Sequence, residues 1–333
     1  MTLIALLGGC TSTSVTEKYQ DKRNDIINVK DKVIEFETGN VLIGSVSRLY
    51  MSNKCLLIAD HKSVDKQIHI FNKNDFSYLT SIGNFGEGPE EITVMGCLAI
   101  DEAHHQLYVS DHAKQKIFSY DMDSVMVDSL YKPQVKTAMN ETLFPSEYQY
   151  INDTLSIAVL IKPTSTSTFN QFLGRWNMNT GEMIPMKYTH PDIQKKRITF
   201  AASEKAGIYV ECYTRHDLMT ICSLDGELLY NIYGPDWDGG NGNKLQSFGT
   251  VMIGNDKIFV SYCGEDYARD SFPTKILVFD LEGNYLKTLE TGYKISDCCY
   301  DSFNNRIILS LNDVVQFAYL DIDGIISVSY THL

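Results

Sequence analysis

No run of eighteen apolar residues occurs in the sequence, so it encodes no helix long and apolar enough to cross a bilayer. No segment of eleven or more residues keeps an apolar period of 3.6, which removes the amphipathic helix as a building unit. Basic residues are few beside acidic ones, 29 against 42, and the formal charge of -13 argues against nucleic acid or an anionic membrane surface as a general partner. Neither G-x-S-x-G nor H-E-x-x-H is present, so the strained nucleophile elbow and the helical zinc-protease signature are both missing. The cysteines form no C-x-x-C pair, which leaves no sequence case for a zinc site. Tryptophan occurs only twice, at Trp176 and Trp237, which makes each a marked position.

What the chain does contain is repetition. Short β-rich segments recur as LLIAD (56–60), LYVSD (107–111), LSIAV (155–159), IYVEC (208–212), IFVSY (258–262) and IILSL (307–311), their starts separated by 51, 48, 53, 50 and 49 residues. Each is preceded by another strand and a tight turn, as in SRLYMSNK and GTVMIGND, and followed by a third strand such as IHIF, IFSY or ILVFD. A fourth follows a corner of the Asp-Gly or Glu-Gly kind, clearest in LDGELLYNI and DLEGNYLKTL. Four antiparallel strands per repeat of about fifty residues predict a propeller blade. Six such blades account for nearly everything after residue 43 and give an all-β, six-bladed β-propeller over residues 31–333. A division into two smaller domains competes poorly, because the period runs through every candidate linker. A linear array would expose its terminal sheets, so the ring must close, and VIEFE (33–37) is expected to pair at the outer edge of the last blade.

The opening MTLIALLGGC is apolar and ends in small residues before a cysteine, and the polar TSTSVTEKYQDKRND follows it. Leu7-Gly8-Gly9-Cys10 resembles the end of a bacterial lipoprotein signal peptide, here without a basic leader. The resemblance implies residues 1–10 as a truncated signal peptide, lipid on Cys10, and residues 11–30 as a flexible tether. The competing reading is a buried first strand, which Gly8-Gly9 and TSTS would end poorly. Acidic residues do not follow the cysteine closely, so the anchor is expected to face the periplasm rather than the cell surface. The membrane is then a partner through the lipid alone.

GNFGEGPEE (83–91) gathers three glycines and three carboxylates. Its glycines are ordered GxxGxG, no GK[ST] follows, and EITVMGCLAI after it reads as strand, so it fits no phosphate cradle. Neither it nor DWDGGNGN (236–243) carries the full oxygen-ligand spacing of a calcium loop, and no metal or other cofactor is expected. It is read instead as a corner carrying the chain from the rim of blade one to the axis at blade two. IGNFGEGPEEI, with LLIADHKSVDKQIHIFNKNDFSYLTSI before it, resembles the first blade of the six-bladed TolB-like or NHL-like propellers common among Bacteroidetes lipoproteins, and VSDHAKQKIFSYD resembles their repeat element. Blade three departs, with no Asp in LSIAVLIKPTSTSTFNQFLGRW. The resemblance implies a fold and an envelope location and almost no chemistry.

In a propeller, the loops joining second to third strands share a face with the blade-to-blade loops. That face carries the candidate ligand-binding residues Asp60, His61, Asp111, His112, Arg215, His216, Trp237, Glu265, Asp266 and Arg269. Asp60 and Asp111 more simply accept backbone N–H bonds in the following turn, and His61 and His112 read as exposed loop residues. Trp237 is a stacking surface for a sugar, whereas Trp176 packs between blades. Cys212 and Cys222 flank one hairpin and are a candidate disulfide pair, while adjacent Cys298 and Cys299 must point to opposite faces of a strand. No catalytic residue is assigned and the Asp boxes of sialidases are missing, so the enzyme question stays open and leans to no. The leading expectation is an envelope binding or interaction module for a glycan or an envelope protein. A propeller hydrolase or lyase on a glycan-like substrate, with convergent carboxylates, is the first alternative. A structural lipoprotein with a filled channel is the second.

Overall fold

The computed structural model describes residues 16–326 except 129, 141, 166, 167, 242–244 and 270. The first described elements are three short strands, β1 (Glu17–Tyr19), β2 (Ile26–Asn28) and β3 (Val33–Glu35). Blade one contains β4 (Ser47–Met51), β5 (Cys55–Asp60), β6 (Lys66–Asn72) and β7 (Tyr78–Asn84). Blade two contains β8 (Met95–Asp101), β9 (Gln106–Asp111), β10 (Lys116–Asp121) and β11 (Gln134–Ala138). A one-turn helix, α1 (Met122–Val127), joins the last two, with the Asp121 side chain accepting a 2.7 Å bond from the Ser124 amide. Blade three contains β12 (Phe144–Asn152), β13 (Leu155–Pro163), β14 (Phe169–Trp176) and β15 (Met183–Pro185). Blade four contains β16 (Ile198–Ser203), β17 (Ile208–Tyr213), β18 (Leu218–Ser223) and β19 (Leu228–Tyr233). Blade five contains β20 (Leu245–Ile253), β21 (Lys257–Asp266), β22 (Lys275–Asp280) and β23 (Tyr285–Glu290). Blade six contains β24 (Ile295–Asp301), β25 (Arg306–Leu311) and β26 (Phe317–Asp321).

The six-fold reading of the repeat holds. All six predicted segments are second strands, and β5, for example, is buried at every position. A second strand is covered on both faces by neighbouring blades, so its sequence is a continuous apolar run rather than an alternation. The buried side chains fall into six clusters, one at each seam between blades. Leu57, Ile68 and Ile70 of blade one meet Leu107, Val109 and Phe118 of blade two in this way. Complete burial of such a side chain contributes about 1.5–3 kcal/mol, so the seams carry the stability of the ring. Trp176, 1 % exposed, packs edge-on to Tyr148 between blades two and three, as expected.

Blade six lacks a fourth strand of its own, and β3 supplies it. Val33, Ile34 and Glu35 pair antiparallel with Leu320, Tyr319 and Ala318, which confirms the predicted latch. Phe36 continues the seal, its ring stacked on Phe76 of blade one at 3.9 Å. At the same seam a buried network joins blades one and six. Lys73 Nζ lies 2.9 Å from Asp301 Oδ1, Arg306 Nε lies 3.4 Å from Asp301 Oδ2, and the Arg306 guanidinium donates to the Lys73 carbonyl.

The expected tether over 11–30 is corrected for its described part. β1 pairs in parallel with β19, and β2 in parallel with β23, so the segment adds a fifth strand to blades four and five. Side chains explain the pairing. Glu17 accepts from Asn231 at 3.1 Å and from the Tyr233 hydroxyl at 2.5 Å, and Tyr19 stacks on the Tyr233 ring at 4.5 Å. Arg23 then enters the seam between blades four and five and pairs with Asp217 at 2.7 Å, with the Phe248, Tyr262 and Phe279 rings around its guanidinium. Cys10 and the leader lie outside the described residues.

The Cys212–Cys222 pairing is also corrected. Cys212 is opposite Met219 and Cys222 is opposite Tyr209, so the two are not cross-strand partners. An odd offset of three residues along β17 puts them on opposite faces of the sheet, in separate apolar clusters, and both are free thiols. Cys298 and Cys299 divide between two seams in the predicted manner.

Candidate functional site

Six inner strands, β4, β8, β12, β16, β20 and β24, wall a cavity of about 350 Å³ on the axis of the ring. Each inner strand brings a side chain to this wall: Arg48, Cys97, Glu147, Thr199, Thr250 and Asp297. Arg48 extends from blade one to Glu147 of blade three, 3.1 Å away, and forms a charged bar across the channel. Both side chains remain open to the cavity, at 39 % and 42 % exposure. Asp297 is held more firmly, accepting the Leu49 amide at 2.8 Å and the Thr250 hydroxyl at 2.7 Å. Burial pushes the Asp297 carboxyl up, and the positive field of Arg48 pulls it back. One cation and two carboxylates thus face a polar slot whose remaining wall supplies Gln149, Tyr150 and Tyr300.

None of the predicted loop residues lines this cavity. Asp60 accepts the Gly44 amide at 2.7 Å and the Lys62 amide at 2.9 Å, and Asp111 accepts the Thr93 and Ala113 amides at 2.8 and 3.0 Å. Both carboxylates therefore tie loops to second-strand ends. His61 and His112 are half-buried rather than exposed, and the Nε2 atoms of both are enclosed without a hydrogen-bond partner. His112 packs against Gly96 of blade two, where a Cβ would come within 2.0 Å of Nε2, so the glycine is needed for the ring to seat. Arg215 stacks over the Tyr267 ring at 3.9 Å, Glu265 is 3.7 Å from Arg269, and Asp266 accepts the Ala268 amide at 2.9 Å. His216 and Trp237 meet at 6.0 Å in an aromatic group with His190 and Tyr233, where Trp237 is half-buried and packs rather than projects. The candidates thus form two separate sets, over blades one and two and over blades four and five.

The glycine-rich corner is structural. Phe85 bridges to Ile92, Glu91 Oε2 accepts the Gly88 amide at 2.8 Å, and Lys114 Nζ caps the Gly88 and Glu91 carbonyls at 2.6 and 2.5 Å. A Cβ on Gly86 would sit 2.0 Å from the Glu91 carboxylate. Lysine thus fills the place where a phosphate reading would need a ligand.

On the short-turn face, Asp101, His104 and Asp153 bring potential metal-ligand atoms within 4.8 Å of one another. His104 Nδ1 is already 2.9 Å from Asp101 Oδ2, and that bond raises the histidine above its ordinary value. The sequence treated His104 as a turn residue because Asp153 comes from the next repeat.

Five histidines share one electrostatic feature. Burial holds His61, His69, His112, His190 and His216 below the ordinary imidazole value of 6.5, whereas only His104 is resolved above it. Between the folded value and 6.5 the unfolded chain binds protons that the folded one refuses, so stability is full above this window and declines through it as pH falls. The raised carboxyls of Asp217 and Asp297 act in the opposite sense at lower pH. The melting midpoint is expected to drop by a few degrees between pH 7.5 and pH 6; a midpoint that rises over this range would contradict the burial of these imidazoles.

Comparisons with known proteins agree on the architecture. A family described as a 6-bladed beta-propeller (DUF5128) matches residues 12–170. A candidate exported protein from Bacteroides fragilis superposes with a TM-score of 0.58 at 13% identity, covering 88% of this chain and 87% of that one. A DUF4221 family member from Bacteroides vulgatus gives 0.57 at 11% identity, over 90% and 98% of the two chains. The Swd1 β-propeller domain from Myceliophteria thermophila gives 0.54 at 10% identity, over 86% and 98%. No curated protein matches significantly. The chain is accordingly a six-bladed β-propeller, similar in fold to these two Bacteroides proteins.

Proposed function

We propose that this protein is a binding module of the cell envelope, with the axial channel as the seat for a polar ligand, either a glycan or a loop of an envelope protein. The supporting observation is the ring of Arg48, Glu147, Thr250 and Asp297 around an open cavity of about 350 Å³. A scaffold with no ligand would be expected to fill its axis with apolar side chains, and this axis instead holds charged groups open to solvent. In this reading lipid on Cys10 fastens the ring to a membrane facing the periplasm, within the TolB-like or NHL-like group of lipoproteins. Support comes from Leu7-Gly8-Gly9-Cys10 and from the likeness to exported propellers.

The Arg48–Glu147 bar gives the test. Folded protein is applied to arrays of glycans and envelope proteins, and the positives are measured again with Arg48→Ala/Glu147→Ala. A ligand of the channel is expected to weaken about tenfold or more, as for loss of a desolvated charge contact, while the variant still melts as a folded ring, at a somewhat lower midpoint because Arg48 also offsets the buried Asp297 carboxyl. Folded protein that binds nothing on either array, or positives indifferent to both substitutions, would remove the channel as the site. Separately, Cys10→Ser is expected to move the protein from the membrane fraction to the soluble fraction.

A further inference from the structure

Blade three leaves half of a long strand uncovered at its rim. Its outer strand, β15, has only three residues and pairs with Gly174, Arg175 and Trp176 at the far half of β14. The Met186 amide reaches the Leu173 carbonyl at 2.9 Å, and there the pairing stops. Phe169–Phe172, the near half of β14, is held by β13 on one side only. Among the described residues no backbone hydrogen bond reaches its outer edge. A cavity of about 360 Å³ lies along this bare edge, between it and the connection through Thr189, Gln194, Lys195 and Arg197.

The chemistry of this notch is distinctive in so acidic a chain. Its lining holds three cations, Lys195, Lys196 and Arg197, and no carboxylate. Lys196 is neutralised by buried Glu211 at 2.7 Å, whereas Lys195 is exposed and Arg197 lies over the Phe169 ring at 4.6 Å. Gln171 contributes an enclosed carbonyl oxygen with no donor. The rim of this ring also accepts added strands elsewhere, since β1 and β2 pair on blades four and five over three residues each.

We propose that the notch binds an extended acidic peptide of a partner protein, which completes blade three by pairing with Phe169–Phe172 as an added strand. Main-chain bonds to the open edge give the affinity, and carboxylates facing Lys195 and Arg197 select the sequence. This site is separate from the axial channel and does not depend on it.

The probe is a short fluorescent peptide of alternating valine and glutamate, compared with its valine–lysine counterpart and with a copy N-methylated at every residue. The glutamate peptide is expected to bind saturably, and the lysine peptide about tenfold or more weaker. Lys195→Glu/Arg197→Glu should show the same loss, and Lys195→Glu alone, at an exposed position, a smaller loss that does not depend on refolding of the Arg197 contact. The methylated copy should not bind, because it cannot donate to the edge. Hydrogen exchange of the amides in 169–172 should slow with the glutamate peptide, and Arg48→Ala/Glu147→Ala should leave all of this unchanged. Equal binding of the methylated copy, no saturable binding of the glutamate peptide, or unaltered exchange at 169–172 would each overturn the proposal.

Discussion

Asp301→Ala is expected to destabilise the ring by about 3–5 kcal/mol, which corresponds to a fall of roughly 4–7 °C in melting midpoint for a chain of this size. The Asp301 side chain is fully buried, and it is the counter-charge for two buried cations, Lys73 and Arg306. Burial alone would push its carboxyl up, but the bonds from Lys73 and Asn304 hold it below the ordinary range, so it is the charged form that is bound. Removing it leaves both cations without their carboxylate in a place water does not reach. The loss falls at the junction of first and last blades, where Phe36, Phe76 and Tyr319 also stack, so the opened state should be the unlatched ring. Urea and thermal unfolding measure the loss, and a shift under about 2 °C would show that the network is not electrostatically coupled. Lys73→Met in the Asp301→Ala background should recover part of the stability, since an apolar replacement of similar length removes one stranded charge.

Arg23→Ala is expected to cost a comparable amount, about 3–5 kcal/mol, because it strands the buried Asp217 carboxylate. Burial already raises the Asp217 carboxyl, with Arg23 as the largest opposing influence. Without Arg23 the group should take a proton more readily, so the penalty should be larger at pH 8 than at pH 5. A group whose folded value is raised favours the folded state as pH falls, which fixes that sign. The variant should also become sensitive to protease between residues 16 and 30, because Arg23 is the pin between β1 and β2. Equal destabilisation at both pH values, with no new cleavage, would assign the loss to packing against Phe248, Tyr262 and Phe279 instead.

The blades were legible in the sequence for a physical reason. Strands such as β5, β9 and β17 lie between two neighbours and are buried almost throughout, so a mostly apolar run recurs once per blade. β3 was legible because VIEFE had to occupy the vacant edge of blade six. β1 and β2 gave no such signal, since EKY and IIN are three residues long and partly exposed, and they are fixed by single side chains rather than by a pattern. The axial ring was hidden for another reason. Arg48, Glu147 and Asp297 are unremarkable in isolation and gain meaning only when closure of the ring turns the inner strands of blades one, three and six toward one cavity. Polar residues concentrate in the loops, and in Asp60 and Asp111 those polar groups satisfy backbone amides. The cysteine pairing failed on register, which flanking positions in a hairpin do not determine.

The strap formed by β1, β2 and β3 has a consequence for the order of events during synthesis. These strands leave the ribosome before any blade, yet their partners in β19, β23 and β26 lie some two hundred residues or more further along. Pairings of such long sequence separation form slowly, after the local hairpins. Individual sheets can therefore assemble as they emerge, while β1, β2 and β3 stay without partners until blades four, five and six have been made. Completion of the circle is a late step, made by a segment older than every blade it joins.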